Sequence, residues 1–284
     1  MEEIHEKWDT EIQPRSGLFD LNLKDIWHYR DLLLLLVKRD YVSSFKQTIL
    51  GPIWFFIQPI LTTLVYMVLF NRIAGLSTDG IPPLAFYLSG VIMWNYFAAC
   101  LNATASTFVA NANIFGKVYF PRLIMPLSVV MSNLLKFAVQ FSFFIIVIAY
   151  YKLTGNQDIQ LSWHILLSPV LVLLMAILGL SMGLIISSMT TKYRDLVHLV
   201  AFGVQLMMFI TPVVYTASAI QGKLKTLILL NPMTGIIEGF RYAFLGTGSF
   251  DFGMLGYSAI VSFALLAIAI VIFNRVEKGF MDTV

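Results

Sequence analysis

Residues 123–151 read LIMPLSVVMSNLLKFAVQFSFFIIVIAYY, and this stretch decides the class of the fold because it holds a single charged side chain, Lys136. About 20 apolar residues in a helix cross the ~30 Å hydrocarbon core of a bilayer, and this stretch is longer than that. A lysine in such a helix is costly unless it faces the interior of a helix bundle or an aqueous path. The stretch therefore predicts a membrane-spanning helix with an inward-facing lysine.

The remainder of the chain has the same apolar character. Of its 284 residues, 58% are hydrophobic and 12% are charged, whereas a soluble domain is typically about 45–50% apolar and about 25% charged. Further uncharged windows, each long enough for a spanning helix, lie at 53–71, 80–116, 162–191, 196–222 and 252–274. We therefore predict an all-α membrane protein with six transmembrane helices. Their centres are expected at Thr62, Phe97, Ala138, Ile177, Gln205 and Ser262.

A different pattern precedes the first crossing and predicts a helix in the membrane interface. Between residues 22 and 45, apolar positions are mixed with charges at Lys24, Asp31 and Lys38, which are spaced by seven. On a helix the apolar and charged positions fall on opposite sides, as in helices that lie at a membrane surface. We expect residues 1–52 to form a cytoplasmic amino-terminal segment with this amphipathic helix. A solvated helix packed on a partner subunit is the alternative.

A seventh apolar stretch, residues 226–246, predicts a re-entrant hairpin before the last crossing. It contains Glu238 and Arg241 and is interrupted by Asn231 and Pro232. Asn caps helix starts, Pro is favoured at the first helical position and Gly ends helices, so a helix is expected that is too short to cross. The two charges lie three residues apart and are expected to neutralise each other. Their cost in a membrane also marks the hairpin as a candidate functional element.

The distribution of basic residues predicts the orientation. If the amino terminus is cytoplasmic, 13 of the 19 Lys and Arg fall in cytoplasmic segments, as the positive-inside rule requires. Most of this bias comes from the first 52 residues. Both termini then face the cytoplasm, and the hairpin faces outward.

Polar side chains in the third crossing lie on one face of the helix. Asn133 and Gln140 are three residues before and four residues after Lys136, and such positions share a helix face. Together with Gln58 in the first crossing and Asn95 in the second, they are candidates to line a channel. An interhelical hydrogen-bond cluster that includes Glu238 is the alternative.

The chain lacks the motifs of the common enzymes. The single cysteine, Cys100, excludes an intrachain disulfide or a CxxC site. No GxxxxGK[ST] phosphate loop, HExxH or GxSxG motif occurs, and we expect no metal site. A net charge of +3, scattered along the chain, does not indicate nucleic-acid binding. These features favour a transporter, a channel or a membrane scaffold, and they leave the choice among the three open.

Six blocks of sequence, taken in order, carry a family likeness: KRDYVSSFKQTILGPIWFFIQP at 38–59, GVIMWN at 90–95, KVYFPRLIMP at 117–126, YRD at 193–195, TPVVY at 211–215 and NPMTGIIEGFR at 231–241. They resemble the ABC-2 type permeases that export O-antigen, capsule or teichoic-acid chains. Together these blocks extend over most of the chain. The lengthened acidic start before Leu18 departs from the usual pattern.

The resemblance implies that residues 53–284 form an ABC-2 type transmembrane domain that works as a homodimer. It also implies two copies of a separate P-loop nucleotide-binding subunit, which would hold ATP and Mg²⁺. For the chain itself we expect no cofactor and no enzymatic activity, in agreement with the missing P-loop. The expected location is the inner membrane of the cell, the expected cargo is a lipid-linked polysaccharide, and membrane lipids are further partners.

The likeness also assigns roles to two groups of residues. The first group is expected to couple the permease to the nucleotide-binding subunit, chiefly through the loop at 117–122, which we call the coupling segment. Its members are Lys117, Phe120, Pro121 and Arg122, with Arg194 and Asp195 as a secondary contact. The second group is expected where a lipid-linked glycan arrives from the side of the bundle: Arg39, Lys46, Leu50 and Gly51. Cations near the headgroup plane attract phosphate, and ordinary positive-inside charge is the alternative for them.

Two other functions remain open from the sequence. An ABC-2 exporter of a small molecule or drug would share the same architecture and the same ATPase partner. An ATP-independent channel or scaffold for envelope synthesis would share only the apolar helices. Co-isolation of a P-loop ATPase separates the last possibility from the other two.

Overall fold

The computed structural model describes residues 23–111, 114, 118, 120–155, 162–190, 193, 195–246, 248 and 250–279. The acidic start before Leu18, Lys117 and Arg194 lie outside these described residues. Within them every regular element is helical, in agreement with the predicted all-α class. The helices are α1 (Leu23–His28), α2 (Arg30–Ser43), α3 (Trp54–Tyr66), α4 (Pro83–Ala105), α5 (Thr107–Ala110), α6 (Ile124–Thr154), α7 (Ser168–Thr190), α8 (Leu196–Ile210), α9 (Lys223–Leu230), α10 (Pro232–Leu245) and α11 (Phe252–Gly279). Short 3₁₀ turns lie at Gly51–Ile53, Trp163–Leu167 and Ala217–Ala219, and α3 continues as a π-helix over Met67–Ile73.

Five helical stretches among the described residues are long and apolar enough to cross a membrane. They are Gly51–Ile73, Pro83–Ala105, Ile124–Thr154, Trp163–Thr190 and Phe252–Val276. Each coincides with one of the uncharged windows. Five of the six predicted crossings therefore agree in position with a helix of spanning length.

The remaining predicted crossing, centred on Gln205, corresponds to the shorter helix α8. This helix has 15 residues, or about 22 Å, which is less than the ~30 Å of the hydrocarbon core. It ends at Ile210 because a residue before proline is disfavoured in the helical region, and Thr211, which precedes Pro212, has φ −94° and ψ 140°. The window at 196–222 thus overestimated the helix, and the count of six crossings stays a prediction.

The amino-terminal helix forms within the predicted range, as α1 and α2 joined at Tyr29. Leu36 and Val37 are buried, and α2 packs along α6 of the same chain. Leu34 and Leu35 are exposed. The helix therefore contacts its own bundle on one face and presents aliphatic side chains on another, which is compatible with a position in the membrane interface.

The centre of the bundle is α4, which packs against α7, α6, α3 and α10. Most of its side chains are buried, from Ala85 to Ala105. Helix α7 is the next most buried of the long helices, and α11 packs against it. By contrast, few side chains of α3, α6 and α11 are buried, and these helices carry many of the exposed large apolar side chains. Such surfaces are suited to contact with lipid tails or with another protein.

Two glycines allow α4 and α7 to approach each other closely. Gly179 and Gly183 form a G-x-x-x-G pattern, which brings helix backbones together in membranes. A Cβ atom at position 183 would lie 2.5 Å from the Cβ of Thr104, and one at position 179 would lie 2.8 Å from the Cβ of Cys100. Neither neighbouring atom is the end of a flexible side chain, so a larger residue would push the helices apart.

We expect Gly183→Val to lower the free energy of unfolding by about 1–3 kcal/mol, the usual cost of overpacking a core. The measurement is the thermal unfolding temperature of the protein purified in detergent. Gly203→Val is the matched control, because nothing lies within 4 Å of a Cβ at that helical position. Equal unfolding temperatures for the two variants would contradict the close contact between α4 and α7.

Candidate functional site

A polar cavity of about 430 Å³ lies where the end of α2 meets α3, α4 and α6. Its wall includes Gln58, Asn95, Asn133, Lys136 and Gln140, the five residues that the sequence marked as candidates to line a channel. The structure brings these side chains together from three helices into one cavity. Their role in transport stays a prediction.

The rest of the wall consists of aromatic and small residues and one more asparagine. Its members are Ser44, Phe55, Tyr96, Ala98, Ala99, Asn102 and Phe137. The rings of Tyr96 and Phe137 are in contact, with centroids 5.2 Å apart. None of these residues was among the predicted site residues. For Asn102 the sequence did contain a signal, because it lies seven residues after Asn95 and residues seven apart share a helix face.

Lys136 is the charged residue in the cavity wall. Its side chain is half-buried, and among the described residues no hydrogen bond or ion pair reaches its ammonium group. The alternative of a cluster with Glu238 is not seen, because Glu238 pairs with Arg241 through Oε1 and Nη1 at 3.5 Å. Lys136 therefore presents a positive charge to the cavity.

The residues predicted to receive a lipid phosphate lie near the end of α2 and in the turn that follows. Arg39 is already paired, since its Nε donates a hydrogen bond to Oδ1 of Asp40 at 2.8 Å. Lys46 is exposed and makes no ion pair with a described residue. Leu50 is exposed, and Gly51 has φ 53°, a conformation that favours glycine. Lys46 is thus the more available of the two cations.

The coupling segment is anchored in the bundle through its aromatic residue. Phe120 is 6% exposed and belongs to the hydrophobic core. Pro121 is buried and Arg122 is half-buried. Val118, in contrast, is 56% exposed, and Asp195 in the secondary contact is also exposed. Among the described residues of the segment, Val118 is therefore exposed at the surface and Phe120 is not.

The helix predicted to begin at Pro232 is confirmed as α10, Pro232–Leu245. Oδ1 of Asn231 accepts a hydrogen bond from the backbone N–H of Met233 at 3.0 Å, and Gly246 ends the helix with φ 74°. Nδ2 of Asn231 also donates to Oγ1 of Thr211 at 2.9 Å. The cap therefore ties α10 to the end of α8 as well. The re-entrant course of the hairpin in a membrane stays a prediction.

Arg241 is buried, at 1% exposure, and holds the irregular chain at 211–217, which we call the 211–217 segment. Its Nη1 donates hydrogen bonds to the carbonyl oxygens of Pro212 at 2.7 Å and Tyr215 at 3.1 Å. Its Nη2 donates to the carbonyl oxygen of Val213. Unpaired buried carbonyl groups are costly, so this one side chain stabilises a stretch that has no regular structure of its own.

Glu238 completes the arrangement and confirms the expected neutralisation of Arg241. Its Oε1 also accepts a hydrogen bond from the backbone N–H of Ala217 at 3.3 Å. The guanidinium lies 3.9 Å from the centroid of the Phe86 ring on α4, a favourable cation–π geometry. Gly90 leaves the necessary space, because a Cβ there would lie 2.8 Å from Nη2 of Arg241. The cluster joins α4, α10 and the 211–217 segment.

Comparison with known proteins identifies the family. The profile of the ABC-2 type transporter family matches residues 31–245, well over half of the chain. The chain belongs to the ABC-2 type transporter family. As a member it is a multi-pass membrane protein and a transporter permease subunit, not a catalytic enzyme.

Relatives of this ABC-2 transporter match it over nearly their whole length. It is 30% identical to the O-antigen export system permease protein RfbA of Myxococcus xanthus, over 92% of this chain and 98% of the relative. It is 27% identical to RfbA of Klebsiella pneumoniae, over 89% and 94% of the two chains. It is 22% identical to the capsule polysaccharide export inner-membrane protein CtrC of Neisseria meningitidis serogroup A, over 86% and 90%. The predicted family resemblance is therefore confirmed.

For this ABC-2 transporter, we expect Arg241→Met to lower the free energy of unfolding by about 3–5 kcal/mol, because Glu238 and several carbonyl oxygens lose their buried partner. The measurement is denaturant unfolding in mixed detergent micelles. Arg72→Met is the matched control, since Arg72 is exposed and makes no ion pair with a described residue. A loss no larger than that of the control would contradict the structural role of Arg241.

Proposed function

We propose that this chain is the transmembrane permease subunit of an ABC exporter that moves a lipid-linked polysaccharide across the inner membrane. The observation that carries the proposal is its near full-length similarity to permeases of O-antigen export, at 30% identity over 92% of the chain. Similarity to a capsule polysaccharide export protein supports the same class of cargo. The polar cavity adds a physical argument, because a hydroxyl-rich cargo needs hydrogen-bonding groups along its path through an apolar bundle.

The energy for export comes from a separate P-loop ATPase that binds ATP and Mg²⁺. Two copies of this ATPase assemble with a homodimer of the permease. The missing phosphate loop supports this division of labour. The coupling segment contacts the ATPase through Val118, and Lys117, Arg194 and Asp195 contribute to the same contact. Phe120 anchors the segment in the core next to the start of α6. A push from the ATPase is thereby transmitted to α6.

The proposed path of the glycan begins at the cytoplasmic interface. Lys46 and Arg39 attract the phosphate of the lipid carrier beside the turn at Leu50 and Gly51. The polar side chains of the cavity line part of the route, and the α9–α10 hairpin forms the exit. Because Arg241 binds the segment that follows α8, a shift of α8 also moves α10. ATP-driven closure of the ATPase opens the route between the two permease copies.

The proposed topology has six crossings, of which α8 is the short one. Both termini lie in the cytoplasm, and the α9–α10 hairpin enters the membrane from the outside and returns to the same side. The excess of basic residues in the first 52 residues supports this orientation.

Single introduced cysteines test this topology. Cys100 is the one natural cysteine and is buried, so Cys100→Ala provides the background. The three test positions, Ser77, Lys225 and Ser43, are exposed. A membrane-impermeant maleimide is added to intact cells, after permeabilisation of an outer membrane where the host has one. We expect it to label Ser77→Cys and Lys225→Cys but not Ser43→Cys. Labelling of Ser43→Cys from outside would contradict the orientation. Labelling of Ser77→Cys without Lys225→Cys would contradict the outward hairpin.

Export in the native host tests the function and the coupling contact together. Without the chain, we expect lipid-linked glycan to accumulate in the cytoplasmic leaflet, and the wild-type gene restores its appearance at the cell surface. Val118→Asp is expected to assemble with the ATPase but to reduce export about tenfold or more, because it places a charge in an apolar contact. Leu153→Asp, at the opposite end of α6 and 87% exposed, is the matched control.

Normal surface glycan in cells that lack the chain would contradict the proposed function. Wild-type export by Val118→Asp would contradict only the coupling contact.

A further inference from the structure

We propose that the polar cavity binds a phosphate-bearing lipid headgroup inside each single copy of the chain. The inference deepens the proposed function and rests on it, because a lipid-linked glycan is carried by such a headgroup. All wall residues come from one chain, at the end of α2 and in α3, α4 and α6. The site is therefore complete within one copy, and it holds the carrier during transfer of the glycan.

The charge in the cavity favours an anionic ligand. Lys136 is the charged residue among those that line the wall. Asp40 on α2 acts on it electrostatically, but Asp40 is held by Arg39 at 2.8 Å and forms no ion pair with Lys136. A half-buried ammonium group in a helix bundle is costly unless an anion approaches it. A phosphate supplies that anion.

Carboxamides surround the lysine and supply the donors that a phosphate or a sugar hydroxyl needs. They belong to Gln58, Asn95, Asn102, Asn133 and Gln140. Among the described residues, none of these side chains hydrogen-bonds to another protein group. An interhelical hydrogen-bond cluster, the alternative interpretation of these residues, would show bonds between them. Their amide groups face the cavity and remain available to a ligand.

The position of the cavity gives a headgroup access from the cytoplasmic side. Ser44 lies at the exposed end of α2, and Gln58 lies in the second turn of α3. Lys136 is ten residues from Pro126, or about 15 Å of helix. The cavity thus reaches from near the interface toward the middle of the membrane, while an attached lipid tail stays in the bilayer. Its 430 Å³ lies in the range of about 300–1,000 Å³ that is usual for ligand pockets.

The test measures binding of a fluorescent polyprenyl diphosphate to the full-length chain, purified with its co-isolated subunits in phosphatidylcholine nanodiscs. Lys136→Met keeps the length of the side chain and removes its charge. We expect its Kd for the probe to rise about tenfold. Lys152→Met, on the same helix but exposed and outside the cavity, is the matched control and is expected to stay within about twofold of wild type.

A second variant keeps the test decisive if the lysine variant does not assemble. Asn133→Leu keeps the branching at Cγ but removes an amide from the wall, and a rise in Kd of about threefold to tenfold is expected. An unchanged Kd for Lys136→Met overturns the inference. If Lys136→Met does not assemble, an unchanged Kd for Asn133→Leu overturns it.

Competition identifies the source of the phosphate. Displacement of the probe by an unlabelled polyprenyl diphosphate disaccharide, but not by phosphatidylglycerol vesicles, assigns the cavity to the glycan carrier. Displacement by phosphatidylglycerol assigns it to a membrane phospholipid and equally supports a phosphate-headgroup site. Displacement by neither overturns the inference.

Export measured in parallel separates this inference from the proposed function. Normal export by Lys136→Met with an unchanged Kd rejects the headgroup site and leaves the export function standing. Normal surface glycan without the chain rejects the export function, and the comparison of Kd between Lys136→Met and Lys152→Met still decides whether the cavity binds the diphosphate.

Discussion

The buried guanidinium of Arg241 binds main-chain carbonyl oxygens of the 211–217 segment, and the arrangement of α4, α8 and α10 depends on this interaction. A buried charge costs several kcal/mol unless it is well paired. The carbonyl oxygens and Glu238 pair Nη1 and Nη2, and the ring of Phe86 adds a cation–π contact, whereas Nε has no hydrogen-bond partner among the described residues. In return, the irregular segment gains donors that it cannot supply to itself. The end of α8, the start of α10 and the middle of α4 therefore form one connected unit.

This unit is connected to the centre of the bundle through α4. Packing is tight on one side of α4 and open on the other. Toward α7, Gly179 and Gly183 bring the two helices into close contact. Toward α3 and α6, the polar cavity opens around Lys136. Helix packing and interhelical hydrogen bonds hold helices together within a bilayer. Polar side chains that are not bonded to one another do not contribute to this cohesion. The contrast with Arg241, whose Nη1 and Nη2 are both hydrogen-bonded, indicates that the cavity residues serve a purpose other than cohesion.

Local signals were sufficient for several elements and misleading for others. Asn231 and Pro232 predicted the start of α10 correctly, because capping depends on a few neighbouring residues. The helix around Gln205 is shorter than its uncharged window, because the break at Pro212 ends it at Ile210, while the crossing itself stays a prediction. Phe120, one of the predicted coupling residues, is buried in the core, which the sequence of the loop did not indicate. Which side of a short loop faces inward depends on helices that are distant in sequence.

By itself the sequence determined that the chain lies in a membrane, where its helices run and which family it resembles. These properties follow from length, charge and cap chemistry, which the bilayer and the backbone impose window by window. Only the tertiary structure decided that Arg241 serves the carbonyl groups of the 211–217 segment, and that Gln58, Asn95 and Lys136 share one cavity. Those facts depend on the rotation and spacing of helices relative to one another, which the periodicity of a single helix does not encode.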